Sequence, residues 1–393
     1  MTHAPIRVER LDARGDGVAG DLVLPRTLPG EGVDAEGRIL RPSPDRVAAP
    51  CPHFRRCGGC ALQHASDAFV AGWKVARVRD ALARQGVEAE AALAHVSPPA
   101  SRRRAALKGR KTKKGATVGL HAARSHDLVA IPDCRVLRPE IVAALPSLER
   151  LTRAVAPRGG EIGLHVTVTE IGLDLDVTGA KDVAPAELAP FAADFARIAW
   201  NGEVLLQSAV PEIALGPARV VPPPGAFLQA TEEGQAALVA AVTAALAGAG
   251  RVADLFAGLG TFAFPLALGA PVDAWEGAAP QVAALAHGAR RAPGTRPVSA
   301  RRRNLFKDPL TPEELARYDA VVVDPPRAGA AAQMAALARS GVARVASVSC
   351  DPGTFARDAA ALVSAGWRIG PVSVVDQFRW SPHIELVATF EHP

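Results

Sequence analysis

The sequence predicts an α/β protein whose C-terminal part is a doubly wound, mostly parallel sheet of seven strands, preceded by a central α+β domain and a small N-terminal β-barrel. Three observations predict it. Beyond Pro222-Pro223-Pro224-Gly225, strand-length apolar runs alternate with helix-length segments, as in a parallel sheet covered on both faces. Between about 100 and 215, short alternating stretches such as Gly163-Leu164-His165-Val166-Thr167-Val168 and Leu173-Asp174-Leu175-Asp176-Val177 suggest an antiparallel sheet with some helix. From Ile6 to about Pro50, runs such as Val8-Glu9-Arg10-Leu11 and Leu22-Val23-Leu24-Pro25 are punctuated by Gly, Pro and Asp, the pattern of a small barrel. The expected segments are 1–48 for the barrel, 49–90 for a cysteine-rich stretch and its helix, 91–220 for the central domain and 221–393 for the last domain.

After the cysteine-rich stretch, Phe69, Trp73, Val75, Val78 and Leu82 recur at helical spacing, predicting an amphipathic helix over 68–85 that ends before Gly86. In the last domain the expected strands are 251–256, 272–275, 298–301, 319–323, 344–349, 367–375 and 385–390. No helix-length segment separates the last two, so they should form a hairpin that places one antiparallel strand in the sheet. The Ala-rich run 235–250 reads as a buried or half-buried helix and is too short to cross a bilayer. The first residues mix Arg, Glu and Asp without an apolar core, so no secretory signal is expected. Sparse cysteine, five in 393 residues, then suggests a reducing cytoplasm, where clustered thiols serve metals or catalysis. The net charge of +5 leans only weakly toward a polyanionic partner. More telling, Arg102, Arg103, Arg104, Lys108, Arg110, Lys111, Lys113 and Lys114 fall within thirteen residues, which reads as a solvated hairpin or a phosphate-backbone contact.

Asp254-Leu255-Phe256-Ala257-Gly258-Leu259-Gly260-Thr261-Phe262-Ala263 is a strand followed by a glycine-rich turn into a helix, where backbone can approach a ligand closely. On its own this suits a dinucleotide equally well. Glu276, eighteen residues after Gly258, could hold ribose hydroxyls in either case. Asp324-Pro325-Pro326-Arg327, at the end of an apolar strand and 66 residues after Gly258, tilts the choice. It resembles the fourth motif of class I methyltransferases, which bind S-adenosylmethionine (SAM).

Cys350 follows the apolar run Val345-Ala346-Ser347-Val348 and precedes Asp351-Pro352, so it should stand at the carboxyl end of a strand, where open α/β sheets place ligands. A buried thiol is usually inert; beside Asp324 it becomes a candidate nucleophile, and a helix N-terminus at Gly353-Thr354 would stabilise its thiolate. Glu385, in His383-Ile384-Glu385, is a strand-edge carboxylate or a general base. Cys51, Cys57 and Cys60 crowd into Cys-x5-Cys-Gly-Gly-Cys, with Cys134 as a fourth thiol. That set suits structural zinc or an iron–sulfur cluster.

Phe227-Leu228-Gln229, the Asp254–Ala263 turn, Asp324-Pro325-Pro326-Arg327, Ser349-Cys350-Asp351-Pro352-Gly353-Thr354 with Arg357-Asp358, and Phe378 with His383-Ile384-Glu385 together resemble the RNA uracil-5-methyltransferase family. Order and spacing agree as well. The resemblance implies a Rossmann-like class I methyltransferase domain, with Cys350 as nucleophile, Glu385 as base and SAM contacted by Gln229, Phe256, Thr261, Glu276, Asn304 and Asp324. Thr261 and Asn304 depart from the more usual Asn and Asp, and Arg379-Trp380-Ser381-Pro382 from the usual lead into His-x-Glu. For Cys51, Cys57, Cys60 and Cys134 it implies the ligands of a 4Fe-4S cluster, a feature of ribosomal-RNA members. Residues 6–48 look like a short TRAM domain, an RNA-binding barrel. The implied activity is SAM-dependent formation of 5-methyluridine in RNA, with 23S rRNA the expected substrate, by a cytoplasmic monomer without a membrane partner. A transfer-RNA target is the nearest alternative, and a non-catalytic RNA-binding module with a SAM fold is a second.

Overall fold

The structure, a computed structural model, describes residues 5–392; Met1–Ala4 and Pro393, at the outer ends of the first and last expected segments, lie outside them. Its largest sheet is built on strands whose side chains are buried on both faces. Val252–Leu255 and Ala320–Val323 are buried throughout, with Val252, Ala320 and Val322 facing one core and Leu255, Val321 and Val323 the other. Strands buried this way carry near-continuous apolar runs, which is why they were legible. The order is Val298–Arg302, Val272–Glu276, Val252–Leu255, Ala320–Val323, Arg344–Ser349, Glu385–Glu391, Val372–Asp376 and Ala91–Val96, with Arg368–Ile369 pairing against Glu385–Glu391. The chain runs outward from Val252–Leu255 and then returns to its other side at Ala320–Val323. That reversal creates a switch point, and the loops after these two strands flank it.

Glu385–Glu391 runs antiparallel to both neighbours while the other strands share one direction, as the expected hairpin requires. The sheet has nine strands rather than seven. One extra strand arises because Gly370-Pro371 splits the expected 367–375 run into Arg368–Ile369 and Val372–Asp376. The other, Ala91–Val96, opens the segment expected to form the central domain (91–220) but pairs parallel with Val372–Asp376 in this sheet instead.

The first long helix, Asp67–Arg84, begins where the Ser66 hydroxyl accepts from Phe69 N at 3.2 Å. Val75, Val78 and Leu82 on its buried face join the core beneath the sheet. Each such aliphatic side chain contributes about 1.5–3 kcal/mol by burial. The helix over Glu232–Ala245 starts three residues before the expected run because Thr231 caps it, and its chain turns at Gly248, whose φ is +77°.

The central domain holds a seven-stranded sheet in the order Leu128–Ala130, Ala116–His121, Arg104–Lys111, Glu161–Val168, Leu173–Thr178, Arg197–Trp200 and Glu203–Gln207. All its pairings are antiparallel except Leu173–Thr178 with Arg197–Trp200. At the N-terminus the expected barrel is absent among the described residues. Two separate three-stranded sheets stand there, Ile6–Arg7 with Gly32–Val33 and Ile39–Arg41, and Arg10–Leu11 with Gly17–Ala19 and Leu22–Leu24. Strands of two or three residues provide too few ladder rungs to close a barrel. The buried Glu31 carboxylate joins this region instead, accepting from Arg46, Leu28 N and Ser43 N.

Candidate active site

The antiparallel strand brings the candidate nucleophile and base together. Ser349 ends its strand opposite Leu386, and Glu385 lies opposite Val375, so the amino end of this strand meets the carboxyl ends of its neighbours. Cys350 is half-buried, and Glu385 is 3% exposed. Burial, and then the negative charges of Glu385 and Asp324, push the Cys350 thiol up to about 11, while Arg327 acts in the opposite sense. The N-terminus of the Pro352–Ser364 helix does not offer its amides to the thiol: Asp351 Oδ1 accepts from Gly353 N at 2.8 Å and Thr354 N at 3.0 Å. The expected help from Gly353-Thr354 is therefore taken up by a capping side chain.

Burial is also the main cause at the two carboxyls. It pushes Glu385 up to about 8, reinforced by Asp324 and eased by Gln377, Arg104 and Arg327, and it pushes Asp324 up to about 7. Both groups hold protons more tightly folded than unfolded. The stability they contribute is full below their ordinary values near 4 and is lost as pH rises through about 7 for Asp324 and about 8 for Glu385. Thermal unfolding of the SAM-free protein is expected to show Tm falling from about pH 5 to about pH 8, with Glu385→Gln flattening the upper part of that fall. A Tm that rises across this window through these groups would contradict burial as the cause.

The expected cofactor residues surround the switch point. Glu276 closes its strand, with Oε2 accepting from Gly258 N at 3.0 Å and Oε1 from Ala278 N at 2.8 Å. Phe256 enters the turn at φ +63° and packs against Phe306, ring centroids 5.2 Å apart. Asn304 Oδ1 shapes the neighbouring loop by accepting from Phe306 N and Lys307 N. Thr261 stands in the glycine turn itself. Asp324 continues from Val323, and its loop is tied down from the Pro352–Ser364 helix: Asp358 accepts from Ala330 N at 2.7 Å, and Arg357 donates to Ala328 O at 3.1 Å. Gln229 is buried and accepts from Gln377 Nε2 at 2.5 Å, while Gln377 Oε1 accepts from Ala230 N at 2.7 Å. Gln377 also stands beside the Glu385 carboxyl and favours its ionised form.

These groups fit a cationic adenosyl ligand. Asp254 is fully buried with both carboxylate oxygens unpartnered, and burial followed by the Asp324 charge pushes it well above the usual carboxylate range. A nearby sulfonium or ammonium would relieve that cluster of acids.

Cys51, Cys57, Cys60 and Cys134 line one cavity of about 690 Å³ together with Arg102, Ser381, Pro382 and His383. Burial and the neighbouring thiols push Cys60 up to about 12. Among the described residues no group of three or more His, Cys, Asp or Glu side chains could hold a single metal ion.

Residues 306–391 match the family described as tRNA (Uracil-5-)-methyltransferase. An uncharacterized RNA methyltransferase of Caulobacter vibrioides is 44% identical over 411 residues, which cover 98% of this chain and 99% of that protein. The 23S rRNA (uracil(1939)-C(5))-methyltransferase RlmD of Halomonas elongata is 34% identical, with 98% of this chain and 89% of that protein covered. The chain belongs to the RNA uracil-5-methyltransferase family. Its fold is shared by the crystal structure of the Pyrococcus abyssi tRNA (uracil-54, C5)-methyltransferase in complex with S-adenosyl-L-homocysteine, at a TM-score of 0.77 and 22% identity, covering 99% of this chain and 100% of that one. The protein is a SAM-dependent RNA methyltransferase of this family, and no described helix is long and apolar enough to cross a membrane.

Three features of the methyltransferase site escaped sequence reasoning. Asp254 was seen only as the start of the glycine turn, although an acid inside an apolar strand is itself a signal. Arg327 Nη2 donates to His383 Nδ1 at 3.1 Å, and burial lowers His383 to about 4, which keeps the ring neutral and able to accept. Arg104, from the basic stretch, stacks on the exposed Phe227 ring at 4.5 Å and senses Glu385; burial lowers it to about 10. The basic stretch was read as a solvated hairpin or a phosphate contact, and only the fold turns one of its arginines toward the Glu385 carboxyl.

Proposed function

We propose that the protein methylates carbon 5 of a uridine in 23S rRNA through a covalent intermediate, with Cys350 as nucleophile and Glu385 as base. The observation that carries this reading is the meeting of Cys350, Glu385 and Asp324 at the switch point. The whole-length likeness to a 23S rRNA (uracil(1939)-C(5))-methyltransferase supports the choice of RNA. Gln229, Phe256, Thr261, Glu276, Asn304 and Asp324 would hold SAM, which supplies an electrophilic methyl on a sulfonium. The Cys350 thiolate adds to carbon 6 of the uracil ring and makes carbon 5 an enolate carbon nucleophilic enough to take the methyl. Glu385 then removes the carbon 5 proton, and the ring expels the thiolate. Gln377 and Arg104 would favour the ionised form of that carboxyl. The target uridine must leave its stack to reach this site.

Lys108, Arg110, Lys111, Lys113 and Lys114, on the strand Arg104–Lys111 and the turn after it, would contact the RNA backbone. Cys51, Cys57, Cys60 and Cys134 would ligate a 4Fe-4S cluster. An all-thiol donor set on one cavity suits a polynuclear cluster, which spreads its ligands more widely than a single zinc ion with sulfurs at about 2.3 Å. The protein would work as a monomer in the cytoplasm.

Mapping 5-methyluridine in ribosomal and transfer RNA, with and without the protein, tests the substrate. A site in 23S rRNA that loses its mark without the protein is expected; a lost mark confined to transfer RNA overturns that choice. Anaerobically purified protein is expected to carry iron and acid-labile sulfide that the Cys57→Ser protein loses.

A further inference from the structure

The loop that leads into Glu385 is held from outside itself. Residues 377–384 join Val372–Asp376 to Glu385–Glu391, and their carbonyls are served by groups from residues 61–77. Ala61 N and Leu62 N both donate to Trp380 O, at 2.9 and 3.0 Å, and Arg77 Nη1 donates to Pro382 O at 2.5 Å. Arg379 pairs with Asp67. Trp380 sits at φ +61°, a conformation a bulky residue keeps only where its surroundings impose it.

The deepest of these ties is Lys74, which is 0% exposed. Its Nζ lies 2.6 Å from Asp376 Oδ1 and donates to Phe378 O at 3.3 Å, while Asp376 Oδ1 also accepts from Phe378 N at 3.0 Å. Lys74 therefore grips the residues on either side of Gln377, the buried side chain that donates to Gln229 and stands beside Glu385. An ion pair this deep is a poor source of stability, because desolvating both charges offsets their attraction, and an apolar side chain would pack there at less cost. What the pair provides is a fixed position.

We propose that Lys74 is a positioning residue for the catalytic base, holding residues 376–378 so that the Glu385 carboxyl faces carbon 5 of the covalent adduct. The inference rests on the reading that Glu385 removes that proton. It distinguishes Lys74 from the other ties because Lys74 alone brackets Gln377.

The test follows one turnover on 23S rRNA transcribed with [5-³H]uridine, scoring tritium release and protein–RNA complex that survives denaturation. In Lys74→Met, tritium release is expected to fall by about tenfold or more while covalent complex accumulates, since a misplaced base delays elimination without blocking thiolate addition. SAM affinity should be unchanged, and Lys74→Arg should restore part of the release. The double variant Lys74→Met with Asp376→Asn removes both buried charges and carries the same expectation if the single variant folds poorly. Release and complex falling together, or neither changing, would overturn the role of Lys74. Glu385→Gln serves as the control: if it too fails to accumulate complex, the assignment of the base is what fails.

Discussion

Cys350→Ala is expected to abolish methyl transfer to RNA, by at least about 10⁴-fold, the scale on which covalent catalysts lose rate with their attacking side chain. The denaturation-resistant protein–RNA complex should vanish with it. The reason lies in the uracil ring, whose carbon 5 cannot displace a sulfonium methyl until carbon 6 has been attacked. No other thiol can substitute, because Cys51, Cys57, Cys60 and Cys134 line a separate cavity. Folding and SAM binding should survive, since the cofactor loops are held by Glu276, Asp358 and Arg357 rather than by the thiol. Transfer of labelled methyl from SAM and a denaturing gel check both halves. Residual transfer within tenfold of the native rate would mean that Cys350 is not the nucleophile.

The thiol also shows where sequence reading runs short. Its position at a strand's carboxyl end was legible because the preceding run is mostly apolar, Val345-Ala346-Ser347-Val348, and the two-strand hairpin at the end of the chain gave the direction that carries Glu385 to it. Its electrostatics were not legible. The sequence places Cys350 beside a helix N-terminus, yet Asp351 caps that terminus, and the thiol lies between two carboxyls that raise it. If Cys350 is the nucleophile, activation comes with the ligands, through the SAM cation, added to the pull that Arg327 already exerts in the resting protein.

Long-range assembly was illegible for a different reason. Ala91–Val96 lacks a run of β-branched residues, and its partner strand Val372–Asp376 lies at the far end of the chain, so no local pattern marks it as part of the methyltransferase sheet. The Asp67–Arg84 helix was legible as amphipathic, but Lys74 reads there as one more solvated cation. Only the fold, by closing the sheet over that helix, turns it inward onto the loop that leads into Glu385. The N-terminal strands were recognised as short and punctuated, but whether such strands close depends on how many rungs they share.

Glu385→Gln is expected to slow turnover by about 10²–10⁴-fold, the usual worth of a positioned general base. Unlike Cys350→Ala it should accumulate the covalent complex, because addition and methyl transfer precede the step it blocks. Its pH dependence separates a base from a merely structural carboxylate. Burial holds the carboxyl up to about 8 in the ligand-free protein, so near neutrality most molecules carry the proton that a base must first give up. Single-turnover elimination should therefore rise with pH toward about 8 in the native enzyme, and that rise should disappear in Glu385→Gln, whose amide does not titrate. Arg104 and Arg327 favour the ionised form, and because the sulfonium has already lost its methyl before this step, saturating SAM should leave the native profile in place. If the native and Gln profiles were parallel, the proton would have to leave to another group. Asp324 is the group to test next, since its carboxyl is the one coupled to both Glu385 and Cys350.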